Sequence, residues 1–101
     1  MRIKKHGTIY HGSLGSIGAT ALQLTSVTRK LAQGVTIKAD AGNAANFVFV
    51  GLVGVTAGIS APTTDGYKLA AGQEIEIAID DPAKIYVIGS TTSLAVSWVG
   101  V

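Results

Sequence analysis

Apolar and polar residues alternate most strictly between residues 74 and 80. Ile75, Ile77 and Ile79 fall on one side and Glu74, Glu76 and Asp80 on the other. A period of two predicts a half-buried strand and not a helix. The run Leu69-Ala-Ala-Gly-Gln73 predicts the turn that opens it, and Asp81-Pro82 the turn that closes it. Two further strands follow, Lys84–Gly89 and Leu94–Gly100, with a Ser/Thr turn between them, so residues 67–100 read as an antiparallel meander. Upstream, Val35–Asp40 alternates cleanly, and Ala19–Val27 places Leu22 and Leu24 opposite Gln23 and Thr25. Phe47–Val53 is apolar on both faces, which predicts a central strand covered on both sides. Tyr67–Leu69 is a short strand, and Arg2–Tyr10 a first strand interrupted by Gly7.

Between these runs lie the connections. His11–Gly18 reads as a flexible Gly-rich link, and Arg29–Gly34 as one helical turn or a loop. Ala41–Asn46 reads as a turn in which Gly and Asn take positive φ, and Thr56–Gly66 as a long polar loop around Pro62. No longer segment has helical periodicity. About eight short antiparallel strands in a chain of this length predict an all-β, single-domain β-sandwich of jelly-roll type, with a small open barrel as the alternative. The expected division is an N-terminal basic arm and Gly-rich connection over 1–18 and the sandwich over 19–101. The expected core is Leu22, Leu24, Val35, Ile37, Phe47, Phe49, Ile75, Ile77, Ile79, Ile85, Val87, Val96 and Trp98.

Composition sharpens this picture. The chain has 101 residues, 48% of them hydrophobic and only 14% charged. So few charges leave much surface to small or apolar groups, which favours a protein partly hidden in an assembly. There is no cysteine, hence no disulfide framework and no thiolate chemistry. No apolar signal core follows the polar start Arg2-Ile-Lys-Lys-His6, and no apolar run reaches the ~18 residues of a membrane span. A soluble product made in the cytoplasm, with no membrane partner, is expected. Net charge is +2, but it is unevenly laid out. Up to Lys38 the chain carries +6 (Arg2, Lys4, Lys5, Arg29, Lys30, Lys38), and after it −4. Such asymmetry suits docking onto a charged partner or a second copy, or pairing of the two sets within the folded chain. Arg2, Lys4, Lys5, Arg29 and Lys30 are the candidate partner-binding residues.

Candidate chemistry is sparse. His6 and His11 could in principle share a metal with a carboxylate, but they precede the confident strands and read as exposed residues. Glu74, Glu76 and Asp80 share a strand face, where alternate side chains run parallel about 7 Å apart instead of converging. Asp80-Asp81-Pro82 lacks the remainder of a calcium loop, and Gly12, Gly15 and Gly18 match no phosphate- or dinucleotide-binding spacing. Ser13 and Ser16 sit in no nucleophile elbow. Nucleic-acid binding would ask for aromatics beside the basic arm, where Tyr10 stands alone. Tyr67 and Tyr86 could meet a glycan, or pack with their hydroxyls at a rim. No enzyme activity and no cofactor, metal or nucleic-acid partner is expected.

Three stretches carry a resemblance: Leu31-Ala-Gln-Gly-Val-Thr-Ile-Lys-Ala39, Asn46-Phe-Val-Phe-Val-Gly51 and Tyr67–Gly89. Together they resemble small virion proteins of tailed bacteriophages, those of the head decoration (cement) or head-fibre type. The likeness runs over residues 31–100; residues 1–30 match nothing in it. It implies a jelly-roll or β-sandwich subunit, usually a homotrimer, seated where capsid subunits meet. The expected role is a structural protein that binds the outside of the capsid and stabilises it, with the major capsid protein as partner and the virion exterior as location. The alternative is a fibre, collar or baseplate module that binds protein or glycan. No catalytic residue is implied.

Overall fold

A computed structural model describes residues 8–56 and 66–101. Eight strands form two four-stranded sheets: β1 (Tyr10–Ile17), β2 (Leu22–Gln23), β3 (Val35–Ala39), β4 (Val48–Gly51), β5 (Tyr67–Leu69), β6 (Glu74–Ile77), β7 (Tyr86–Gly89) and β8 (Leu94–Gly100). The first sheet has the order β1-β8-β3-β6 and the second β2-β7-β4-β5. Every pairing is antiparallel. Each strand of the N-terminal half pairs with its mirror in the C-terminal half: β1 with β8, β2 with β7, β3 with β6 and β4 with β5. That is a long double hairpin rolled into two sheets, the jelly roll, and the all-β sandwich expected from the pattern is what the chain forms.

The core lies between the sheets. From the first sheet come Ile17, Val35, Ile37, Ala39, Leu94, Val96 and Trp98; from the second, Val48, Val50, Leu69 and Val87, with Leu24, Leu31 and Ile85 entering from loops. Ile75, Ile77, Ile79 and Leu22 pack against this cluster half-buried, because β6 and β2 are edge strands with a neighbour on one side only. Phe47 and Phe49 differ from the expectation. They lie on the opposite face of the second sheet, in a separate cluster with Ile88, Val55, Ala21 and Tyr86. This second cluster explains why Phe47–Val50 is apolar on both faces: the strand is covered on both.

Three local expectations are corrected. The Gly-rich stretch 11–18 is no flexible connection, since Tyr10–Ile17 is the edge strand of the first sheet. Its apolar alternation is hidden because Gly12 faces inward opposite Trp98, whose indole fills the space a side chain would take; a Cβ there would stand 2.8 Å from Nε1. Residues 2–7 of the expected first strand lie outside the described residues. Strand β4 ends at Gly51 and not at Val53, because Gly54 (φ +89°) closes a turn in which the Val55 amide donates to the Leu52 carbonyl at 3.0 Å. In the 41–46 turn the positive φ falls on Ala44 (φ 57°, ψ −121°) and on neither Gly42 nor an Asn. The expected turn after β6 forms as read: Asp81 caps a 3₁₀ turn (Pro82–Lys84) by accepting the Ala83 amide at 2.9 Å.

Candidate functional site

The register places the strand ends. Tyr10 pairs with Gly100, Gly100 with Val35, and Val35 with Ile77. In the second sheet Gln23 pairs with Tyr86, Tyr86 with Gly51, and Val50 with Tyr67. One end of the sandwich therefore gathers the entry into β1, the β2–β3, β4–β5 and β6–β7 connections and the exit from β8. The other end gathers the β1–β2, β3–β4, β5–β6 and β7–β8 connections.

Exposed large apolar side chains are not shared between these ends. Ile9, Val27, Leu52, Val53, Tyr67, Val99 and Val101 are the exposed large hydrophobics among the described residues, and all belong to the first end. Leu52 and Val53 sit on the tight turn described above and are 63% and 75% exposed. The turn is anchored from behind by Val55, which is buried against Phe49 and Ile88. The aliphatic pair is thus held out by packing beneath it.

At the same end runs a cleft of about 330 Å³ lined by Ile9, Tyr10, His11, Thr25, Val27, Arg29 and Trp98. The Arg29 guanidinium lies over the Tyr10 ring, 4.8 Å from its centroid, a cation–π contact. The backbone behind it is pinned to the β6–β7 connection. The Arg29 amide donates to Asp81 Oδ1 at 3.3 Å, and the Leu31 amide donates to the Asp80 carbonyl at 2.6 Å. Of the candidate partner-binding residues, Arg29 and Lys30 are therefore exposed on this end, while Arg2, Lys4 and Lys5 lie outside the described residues. The chain enters β1 at this same end.

The uneven charge is partly paired within the fold. Lys38 stands directly opposite Glu74 on the outer face of the first sheet. Lys84 Nζ contacts Asp80 Oδ1 at 2.9 Å. Lys84's hydrogen bond and charge hold the Asp80 carboxyl below the usual carboxylate range, with a smaller push from Lys30; the same contact raises Lys84. Glu74 and Glu76 point outward from β6 in parallel and do not converge. Among the described residues no three His, Asp or Glu side chains are placed to hold a metal ion, and no helix is long and apolar enough to cross a membrane.

Several residues of this end escaped sequence reading. Leu52 and Val53 continue the apolar run of β4 and looked like strand; Gly54, which turns them outward, was the available signal. Ile9 and Val27 flank polar stretches and gave none. Trp98 has strand-core spacing and is indeed in the core, yet it also lines the cleft. Comparison with protein-family descriptions, with curated proteins and with solved structures finds no match.

Proposed function

We propose that this protein is a structural component of a tailed-phage virion, a decoration subunit that binds the outside of the capsid and stabilises it, with the major capsid protein as its partner and a homotrimer as its working form. The observation that carries this reading is the gathering of seven exposed large apolar side chains at one end of a jelly roll. Apolar groups massed on one surface mark a contact with another protein. Here they are accompanied by Arg29 and Lys30, and the sequence adds Arg2, Lys4 and Lys5 upstream of β1; positive charge of this kind suits a surface of opposite charge. The resemblance of residues 31–100 to phage decoration and head-fibre proteins agrees with a subunit that docks by one end. A small sandwich also gains buried area by joining copies that its single core cannot supply.

The test is the mass of the purified protein by light scattering, alone and after mixing with empty tailed-phage capsids. A stable trimer that co-sediments with the capsids supports the reading. Deleting residues 2–7, which leaves β1 whole, then removes Arg2, Lys4 and Lys5 and is expected to weaken co-sedimentation without changing the fold. A monomer that stays in the supernatant overturns the reading.

A further inference from the structure

The cleft between Ile9, Val27 and Trp98 has a donor-rich lining. Arg29 offers a guanidinium fork, and His11 an imidazole on the strand edge. Trp98 offers the chain's one indole N–H. Among the described residues that N–H meets no acceptor, and it is not sealed from solvent. Gly12 keeps it open, since a Cβ at that position would stand 2.8 Å from Nε1. Among the described residues no carboxylate lines the cleft. The one ion pair among the described residues joins Lys84 to Asp80, so the Arg29 guanidinium has no carboxylate partner among them, although its backbone amide meets Asp81 Oδ1 at 3.3 Å. Its walls are aliphatic (Ile9, Val27) and aromatic (Tyr10). The cleft opens beside β1, which among the described residues is the edge strand of the first sheet.

From this charge complementarity we infer that the cleft is a carboxylate-binding site, and that its occupant is an acidic side chain flanked by aliphatic residues on an extended segment of the partner protein. Arg29 pairs with the carboxylate as a fork, and charge-assisted bonds of this kind are the strong ones. The Trp98 indole donates to the second oxygen or to a neighbouring carbonyl. Ile9 and Val27 cover the flanking aliphatic groups. The edge strand β1 offers main-chain hydrogen bonds to a segment lying along it. A glycan is a poorer fit, because Arg29 already covers the Tyr10 face on which a sugar ring would stack. The partner named here rests on the decoration reading; the carboxylate site itself does not.

The probe is the capped tripeptide Leu-Asp-Val, with Leu-Asn-Val as control, titrated into the full chain at low salt. The readout is the single tryptophan indole resonance in a proton–nitrogen correlation spectrum. The expected result is a saturable shift with the Asp peptide and at least tenfold weaker binding of the Asn peptide. Arg29→Gln is expected to abolish the shift, and Arg29→Lys to retain part of it, because charge survives but the fork does not. Gly12→Ala is expected to block the site; should that strand variant fold poorly, exposed Arg29→Gln carries the test. No indole shift with either peptide, or equal shifts with both, overturns the site. Capsid co-sedimentation of the unsubstituted chain is scored separately. Peptide binding without capsid attachment keeps the site and removes the decoration reading, whereas capsid attachment without peptide binding does the reverse.

Discussion

The two ends of the sandwich carry the same number of strand termini and are built in opposite ways. At the end of the β1–β2, β3–β4, β5–β6 and β7–β8 connections, the residues are Ala, Gly, Ser, Thr, Asn and Gln around a single Asp and Phe, and their polar groups are turned on each other. The Asn43 amide donates to the Ala95 carbonyl and accepts the Ala95 amide, both at 3.0 Å. Ser90 Oγ accepts the Phe47 amide at 3.0 Å, Gln73 Oε1 the Ala70 amide at 2.8 Å, and the Gly89 amide reaches the Gly18 carbonyl at 2.9 Å. This end is closed. The other leaves seven large apolar side chains of the described residues in water. Water exposure of a few Val or Leu residues is ordinary for any protein; their segregation to one end is not what chance placement gives. The difference separates what holds the fold from what the fold presents.

That separation predicts opposite phenotypes. The largest effect is expected for Leu52→Ser together with Val53→Ser. Full burial of an aliphatic side chain stabilises a contact by roughly 1.5–3 kcal/mol. If the chain decorates a capsid as proposed, losing two is expected to weaken that attachment by about a hundredfold or more, read as the concentration needed for half-maximal co-sedimentation. Because both residues are exposed in the free chain, the unfolding midpoint should stay put, within about 0.5 kcal/mol. A large loss of stability with attachment intact would erase the distinction between the ends.

The converse variant lies at the closed end. Asn43 is the buried polar side chain of the described residues, and its amide stands in for a strand neighbour of Ala95. In Asn43→Ala the Ala95 amide loses its acceptor, while the Ala95 carbonyl keeps the Asp40 amide at 3.0 Å. An orphaned, partly buried donor costs about 1–3 kcal/mol. For a domain of this size that lowers the thermal midpoint by roughly 4–24 °C, with attachment below the midpoint unchanged. A midpoint that does not move would show that water replaces the amide freely and that this end is less closed than its hydrogen bonds suggest.

How much of this was legible follows from where each signal resides. Strand content was written in local alternation, so β3, β6, β7 and β8 were found with small errors at their ends. Strand β1 was not, because its core position at Gly12 is filled from across the sheet by Trp98, and a pattern read along one strand cannot register a side chain borrowed from another. Asn43 looked like an ordinary turn residue for the same reason: its partner is 52 positions away. The positive φ at Ala44 was unreadable, since alanine takes that conformation only where the surrounding structure imposes it. Of the candidate contact residues, Arg29 and Lys30 were found from charge layout, whereas Ile9, Val27, Leu52 and Val53 became visible only once the topology brought distant loops to one end. Two of the five basic residues singled out thus sit on the apolar end; whether a patch forms is a long-range property of the fold.

The smallest effect sharpens the comparison from the electrostatic side. Asp80 and Lys84 form the ion pair of the apolar end, with side chains 69% and 56% exposed. The hydrogen bond to Lys84 lowers Asp80, so Asp80's contribution to stability is present above the ordinary carboxylate value and fades as pH falls through the lowered one. The same bond raises Lys84, whose contribution is present below the ordinary lysine value and fades as pH rises through the raised one. Between those limits the pair is fully formed, yet water and salt screen it on both sides. Lys84→Ala should therefore leave the unfolding midpoint unchanged at neutral pH, and the wild-type midpoint should show no step assignable to Asp80 on acidification when compared with Asp80→Asn. A clear, salt-sensitive loss in Lys84→Ala would mean that this pair helps to hold the β2–β3 loop against Asp80 and Asp81. The apolar end would then be braced by charge as the other is by amides, and Arg29 would owe its place over Tyr10 to that brace as well as to the ring beneath it.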